Sequence, residues 1–276
     1  MNKLVNVFVC GTQKGGTTSL YAHFVEHPQL SNPSRKEIHF FDNEEIDWTS
    51  PNYEYLDGFF NADDGSAIRY DVTPIYMFWP PSLERIARYN PRAKLIFLFR
   101  DPFERAYSHW CMQWAKGWDT LPFAEAIRDG RQRLVGIPPN SREHRIYSYL
   151  ERCLYGEQVA RALALFPRKQ LLFIRSKDLR DNHKEALGKI SKFLGISPFP
   201  DAGPKREFRR AEVAFPSKPT KEDRKLVADF VREDYRDFVS LTGLDVADDQ
   251  SLAVRRTRSE ERRVGKECRS RWSPYH

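Results

Sequence analysis

Val7-Phe8-Val9-Cys10-Gly11-Thr12-Gln13-Lys14-Gly15-Gly16-Thr17-Thr18-Ser19-Leu20 is the stretch that decides how the chain is read. An apolar run ends at Gly11, a lysine and a glycine pair follow, and hydroxyl residues open what the pattern predicts as a helix. Strand, tight loop and helix N-terminus is the arrangement with which α/β folds hold phosphate. Backbone N–H groups converge on such a loop, and glycine lets an anion approach the backbone closely. The nucleoside-triphosphate loop G-x-x-x-x-G-K-[ST] carries its lysine after the last glycine and a hydroxyl on magnesium. Here Lys14 precedes the glycine pair, and Thr17 stands where that lysine would be. The lysine then approaches a phosphate from another side, and no metal ligand is implied. A glycine turn capped by a threonine is the plainer reading of the same residues.

A chain of 276 residues is expected to form one domain with embellishments. It is long enough to bury a core without disulfides. Cys10, Cys111, Cys153 and Cys268 form no C-x-x-C pair, so neither a zinc site nor a disulfide framework is suggested. The segment before the first strand is too short for a signal peptide, and no apolar run reaches membrane-spanning length. A soluble, cytoplasmic protein with no membrane span is the expectation. The net charge of +7 is distorted by the end of the chain. Residues 258–276 lack apolar periodicity and resemble the in-frame translation of a common short-read sequencing adapter. They contribute +3, leaving +4 for the rest. Such a tail is set aside in fold reasoning, and its basic run is not taken as a nucleic-acid-binding arm. The expected organisation is one domain over 1–245, a C-terminal end over 246–257 that is truncated with the tail, and a non-native tail over 258–276.

Beyond the loop, Ser19 to Glu26 reads as a short helix stopped by His27-Pro28. Lys36-Glu37-Ile38-His39-Phe40-Phe41-Asp42 mixes a charge pair with an aromatic run. If it is extended, Glu37, His39 and Phe41 share one side and Ile38 and Phe40 the other, so Glu37 and His39 can point together into a cleft. A surface glutamate beside a hydrogen-bonded core histidine is the alternative. A short helix is expected around Tyr53 to Phe59, a strand over Ala67 to Val72, and a helix over Ser82 to Tyr89 opened by Pro80-Pro81. Lys94 to Phe99 is the strongest buried strand, a continuous apolar run of the parallel-sheet type. Asp101 then offers an N-cap and Pro102 a first helical residue for a helix over Phe103 to Trp114. Arg100 thus lies at the carboxyl end of a strand, where open α/β sheets bind ligands, and Ser108 in that helix can face the same cleft. An arginine fork suits a phosphate, and equally an ordinary carboxylate partner. Further helices are read over Leu121 to Arg128, Tyr155 to Phe166, His183 to Leu194 (closed by Gly195) and Lys221 to Leu241, with a strand over Gln170 to Ile174. Arg131 to Arg145 reads as a basic, proline-containing loop, a possible lid or acceptor-contact segment.

Three motifs in order resemble the sulfotransferases that use 3′-phosphoadenosine 5′-phosphosulfate (PAPS), above all the Golgi-type carbohydrate branch and its bacterial relatives. They are Gly11-Thr-Gln-Lys-Gly-Gly-Thr-Thr18, Glu37-Ile-His-Phe-Phe-Asp42 and Leu98-Phe-Arg-Asp-Pro-Phe-Glu-Arg-Ala-Tyr-Ser108, with weaker echoes at Asp71-Val-Thr-Pro74, Leu154-Tyr155 and Phe193-Leu-Gly195. The likeness covers about residues 4 to 245 and implies a P-loop-like parallel β-sheet flanked by helices on both faces. It implies that Lys14, Gly15, Gly16, Thr17, Thr18 and Ser19 hold the 5′-phosphosulfate, and that Arg100 and Ser108 hold the 3′-phosphate. It further implies Lys14 as a charge-neutralising catalytic residue, Glu37 as general base and, second to it, His39 as orienter of Glu37 or of the acceptor, with PAPS as donor and no metal required. The acceptor would be a hydroxyl or amine of a carbohydrate or other small molecule. Two departures stand out. The Glu-Lys-Thr-Pro common in the family is Asp71-Val72-Thr73-Pro74 here, which removes a lysine. The C-terminal donor contacts are not clearly matched, with Lys205, Arg209 and Arg210 as candidates. A magnesium-dependent nucleotide kinase and a non-catalytic polyanion-binding relative are the competing readings.

Overall fold

The computed structural model describes residues 4–61, 68–200, 203, 214–248 and 252. Five parallel strands form the sheet: β1 (Val7–Gly11), β2 (Leu30–Ser31), β3 (Ile68–Val72), β4 (Lys94–Phe99) and β5 (Leu171–Arg175). Their order is β2-β3-β1-β4-β5. The longer described helices are α1 (Thr17–Val25), α3 (Ser82–Tyr89), α4 (Pro102–Ala115), α7 (Tyr155–Leu165), α9 (His183–Leu194) and α10 (Lys221–Thr242). Shorter ones are α2 (Tyr53–Asp57), α5 (Phe123–Ile127), α6 (Arg142–Tyr147) and α8 (Ser176–Asp181).

The apolar strands are buried on both faces, as parallel pairing requires. Alternate residues divide between two cores. Phe8, Cys10, Leu95, Phe97, Phe99 and Phe173 face one core, which α3, α4, α7 and α10 complete with Ile86, Trp110, Val159 and Phe238. Val7, Val9, Val72, Ile96, Leu98 and Ile174 face the other, closed by Leu20 and Phe24 of α1 and Leu187 and Ile190 of α9. Helices on both faces of a parallel α/β sheet are what the motif order implies.

Most expected elements stand within a residue or two of their expected bounds. Asp101 does cap α4, its side chain accepting from the Glu104 N–H, with Pro102 at the first helical position. Gly195 closes α9 with φ 75. Two expectations fail. The 131–145 segment is not a plain loop, because a 3-10 helix (Asp129–Leu134) and α6 occupy most of it. The 36–42 segment is not extended, because Glu37 and His39 have φ 59 and φ 58. Phe41 therefore does not share their side. It is buried with Ile38 and Phe40. Lys205, Arg209, Arg210, Cys268 and the 258–276 tail lie outside the described residues. Among the described residues no helix is long and apolar enough to cross a membrane.

Candidate active site

β1 ends where the 12–16 loop turns back over the carboxyl end of β4. Thr12 is held there twice, its N–H and its Oγ1 both donating to the Leu98 carbonyl at 2.8 and 3.0 Å. The Gly15 N–H returns to the Thr12 carbonyl at 2.8 Å. A Cβ on Gly15 would stand 2.4 Å from the Leu98 oxygen, so glycine alone fits this close approach. Gly16 then serves as N-cap of α1 with φ 94 and no side-chain cap, and the first turn carries no acidic residue. That helix end presents its N–H groups and the positive end of its dipole with no side-chain cap.

A cavity of about 500 Å³ opens beside this helix end. Lys14, Gly15, Gly16 and Ser19 line it from the loop, and Phe99, Arg100, Asp101 and Glu104 from the end of β4 and the start of α4. This joins the first and third sequence motifs at one site, across adjacent carboxyl ends of β1 and β4. Burial and the neighbouring Arg100 push the Lys14 ammonium down to about 8. Two cations held this close weaken one another, and an anion bound between them would favour both. Arg100 also makes the carboxylate pair that sequence left open, with Glu104 at 3.1 Å. Ser108 does not line the cavity. It stands one turn beyond Glu104 on the same face of α4.

Thr17 and Thr18 also leave the cavity wall, for a helical reason. Residues 16, 19 and 23 form one stripe of α1, while Thr17 turns into the core and Thr18 turns the other way. On that other side Thr18 Oγ1 accepts from Lys36 Nζ at 3.1 Å, and the same ammonium donates to Glu37 Oε1 at 2.7 Å. The predicted base therefore stands next to the first turn of α1.

Glu37, His39 and Asp42 form a chain. His39 Nε2 lies 3.6 Å from Glu37 Oε2, and His39 Nδ1 lies 2.9 Å from Asp42 Oδ2. Arg145 of α6 closes the far end, 2.6 Å from the same Asp42 oxygen and stacked on Trp79. Burial alone would raise Glu37, but hydrogen bonds from His39 and Lys36 outweigh it and hold the carboxyl at about 2. Burial would lower His39, yet Asp42 and Glu37 lift it to about 9. At neutral pH the pair is a carboxylate and an imidazolium. Lys14 (φ 71), Glu37 and His39 are the non-glycine residues with positive φ among the described residues. Left-handed backbone of this kind costs roughly 1 kcal/mol or more per residue and gathers where function over-determines the fold.

Asp71 and Tyr76 carry the loop from beneath. The buried Asp71 carboxyl accepts from Thr73 Oγ1 and from Tyr76 OH, each at 2.7 Å. That hydroxyl in turn accepts from the Phe40 N–H at 3.1 Å. Val72, where the family often has lysine, is 1% exposed within the sheet and offers no group to the cleft.

Sequence reading missed several lining residues. Arg175, the last residue of β5, and Ser176, Lys177 and Arg180 after it line the same cavity. Ser176 Oγ donates to the Gly15 carbonyl and so braces the loop. The signal was present in Arg175-Ser176-Lys177, two basic residues about a serine at the end of an apolar strand. Asp245 to Asp248, beyond α10, cover the cavity from the other side and had no such signal. Arg152 was missed too. It is 3% exposed, and its Nη1 donates to Gln13 Oε1 at 2.8 Å, tying the loop to the turn after α6.

Comparison with known proteins agrees with this architecture. A family model described as a sulfotransferase domain matches residues 5–206. The human bifunctional heparan sulfate N-deacetylase/N-sulfotransferase 3 is 28% identical over 211 residues, 71% of this chain and 23% of its own length. Human heparan sulfate glucosamine 3-O-sulfotransferase 3B1 is 28% identical over 197 residues, covering 70% of this chain and 47% of its own. The chain thus spans about a quarter of the first relative's length and about half of the second's. The crystal structure of a sulfotransferase from Alicyclobacillus acidocaldarius superposes with a TM-score of 0.71 at 23% identity, over 87% of this chain and 96% of that one. With the loop, the strand-end arginine and the Glu-Ile-His-Phe-Phe-Asp segment gathered at the head of one parallel sheet, and a family match over residues 5–206, the chain belongs to the sulfotransferase domain family.

Proposed function

We propose that this enzyme moves a sulfuryl group from PAPS to a hydroxyl, or an amine, of a carbohydrate or other small acceptor, with Glu37 as general base. The observation that carries the reading is the position of one carboxylate, Glu37, a single ammonium away from the uncapped first turn of α1. The donor would supply an activated sulfur and a phosphate leaving group. The residues present fit it. Gly16, Ser19 and Lys14 would take the 5′ end, where the first turn of α1 has no side-chain cap and carries no acidic residue. Arg100 would take the 3′-phosphate, joined by Ser108 one turn along α4, at the end of the neighbouring strand. A cavity of about 500 Å³ is of the size that binds such ligands.

In this reading Glu37 accepts the proton of the attacking acceptor atom while a bond forms from that atom to sulfur. The sulfur–oxygen bond to the leaving phosphate breaks in line with it. Lys14 neutralises the charge that grows on the leaving oxygen. His39 turns the Glu37 carboxylate toward the cleft from its anchor on Asp42. On the acceptor side Arg131, Arg133 and Arg145 each have a carboxylate partner, in Glu151, Asp119 and Asp42. That segment is thus not a bare cationic face, and the aromatic rings beside it suit a sugar ring or a phenol.

Calorimetric titration of the metal-free protein with 3′-phosphoadenosine 5′-phosphate, beside an Arg100→Ala variant, tests the donor site. Binding that the variant loses is the expected result. Magnesium-dependent ATP binding in its place would overturn the reading in favour of a kinase.

A further inference from the structure

Lys36 stands between the two halves of the site. Its ammonium has three donors. One reaches Thr18 Oγ1 in the first turn of α1 at 3.1 Å, and one reaches Glu37 Oε1 at 2.7 Å. The side chain is 20% exposed, so it is packed against the protein and not out in solvent. Its surroundings are held by other contacts. Arg35 Nη2 donates to the Ile38 carbonyl at 2.7 Å, the Asp42–Arg145 pair anchors the loop end, and Ile38, Phe40 and Phe41 are buried. The lysine's four-carbon stem is the flexible part of this arrangement. An anion seated on the α1 N-terminus would compete with Glu37 for the same ammonium.

We propose that Lys36 is a catalytic residue that changes partner: it holds Glu37 in the donor-free enzyme and turns to the anion at the α1 N-terminus when donor binds, freeing the base only in a loaded site. The proposal rests on the donor reading given above. Geometry places the ammonium within bonding distance of Glu37 and of Thr18 in the first turn of α1, so the exchange asks for rotation of one side chain and no backbone movement. The chemistry gives the exchange a purpose. His39 and Lys36 together hold that carboxylate at about 2, where it is a poor proton acceptor, and loss of the ammonium removes one of the two and raises its proton affinity. His39 from the same loop and Lys14 from the 12–16 loop are the other charges acting on Glu37, with Asp42, Arg145 and Asp71 acting through His39. These remain in place during the exchange. The third donor of the ammonium would then lie on the transferring group, where it adds to the charge neutralisation that Lys14 supplies.

The test uses the full chain with 13C-labelled glutamate, and the Glu37 carboxyl signal is identified by its loss in Glu37→Gln. The signal is followed from pH 7 down to pH 4, with and without saturating 3′-phosphoadenosine 5′-phosphate, in wild type, Lys36→Met and Lys36→Arg. The free wild-type carboxylate is expected to stay ionised across this range and to begin titrating once ligand is bound. In Lys36→Met it is expected to titrate already without ligand, and ligand is expected to move it less than half as far. Lys36→Arg, which keeps a charge that cannot be given up, is expected to bind ligand and keep part of the shift. Equal ligand-induced shifts in wild type and Lys36→Met, or no shift in either, would overturn the proposal while leaving the donor site standing. Failure of the ligand to bind in calorimetry would overturn the donor reading itself.

Discussion

Lys14 and His39 carry opposite linkages to stability, and both are measurable. Lys14 is lowered in the folded state to about 8. Its burden on the fold is therefore full below pH 8 and fades as pH rises toward its unfolded value, 10.5. Lys14→Met is expected to melt higher than wild type at pH 7, with the difference closing above pH 8, and to lose sulfuryl transfer. Thermal melts across pH read the first and a transfer assay the second. His39 is raised to about 9, so the stability it contributes is full below 6.5 and is lost as pH climbs through 9. Glu37, lowered to about 2, contributes above 4.5 and loses its share as pH falls through 2. The melting difference between wild type and His39→Asn should be flat from pH 4.5 to 6.5 and shrink on the alkaline side. Replacing Glu37 by glutamine should slow transfer roughly a hundredfold or more while leaving 3′-phosphoadenosine 5′-phosphate binding in place.

At the scale of elements, the 12–16 loop and the 34–42 loop are fixed by different devices. Glycine geometry sets the first. Gly15→Ala forces a Cβ to within 2.4 Å of the Leu98 oxygen, so the loop must lift from β4. A stability loss of about 2 kcal/mol and loss of nucleotide binding are expected, read by denaturant melts and calorimetry. Side-chain anchors set the second. Arg145 of α6 pairs with Asp42, whose side chain is 1% exposed. Arg145→Ala leaves that carboxylate buried beside His39 alone and bares the Trp79 ring. Breaking such a buried pair is expected to remove about 3 kcal/mol. A denaturant series on the variant measures it, and Arg145→Lys should recover only part because a lysine cannot reproduce the fork.

Across the whole molecule, the site joins two strand ends with opposite surroundings. The α1 side presents Lys14 and an uncapped helix end, while the cavity's outer wall mixes Arg175, Lys177 and Arg180 with Asp245 and Asp248. A ligand with anions at both ends gains from the first and meets mixed charge at the second. Nucleotide affinity should therefore fall as salt is raised, with Arg100→Ala flattening the dependence, as titrations at several ionic strengths would read.

The sequence by itself determined the architecture. Continuous apolar runs at 7–10 and 95–99 demand burial on both faces, which a parallel sheet with helices above and below provides. Glycine spacing and N-cap chemistry are local, so the 12–16 loop and the start of α4 were legible from a few residues each. What only the tertiary structure decided is which groups meet. Side-chain alternation allows for an extended 36–42 segment, whereas the left-handed backbone at Glu37 and His39 goes with anchors at Tyr76 and Arg145, 36 and 103 residues from their partners in the loop. Thr18 and Ser19 are neighbours in sequence, yet the helical turn sends one to Lys36 and the other to the cavity. Local composition encodes which backbone shapes are allowed. The choice of partner comes from burial and distant hydrogen bonds, and those exist only once the chain has closed on itself.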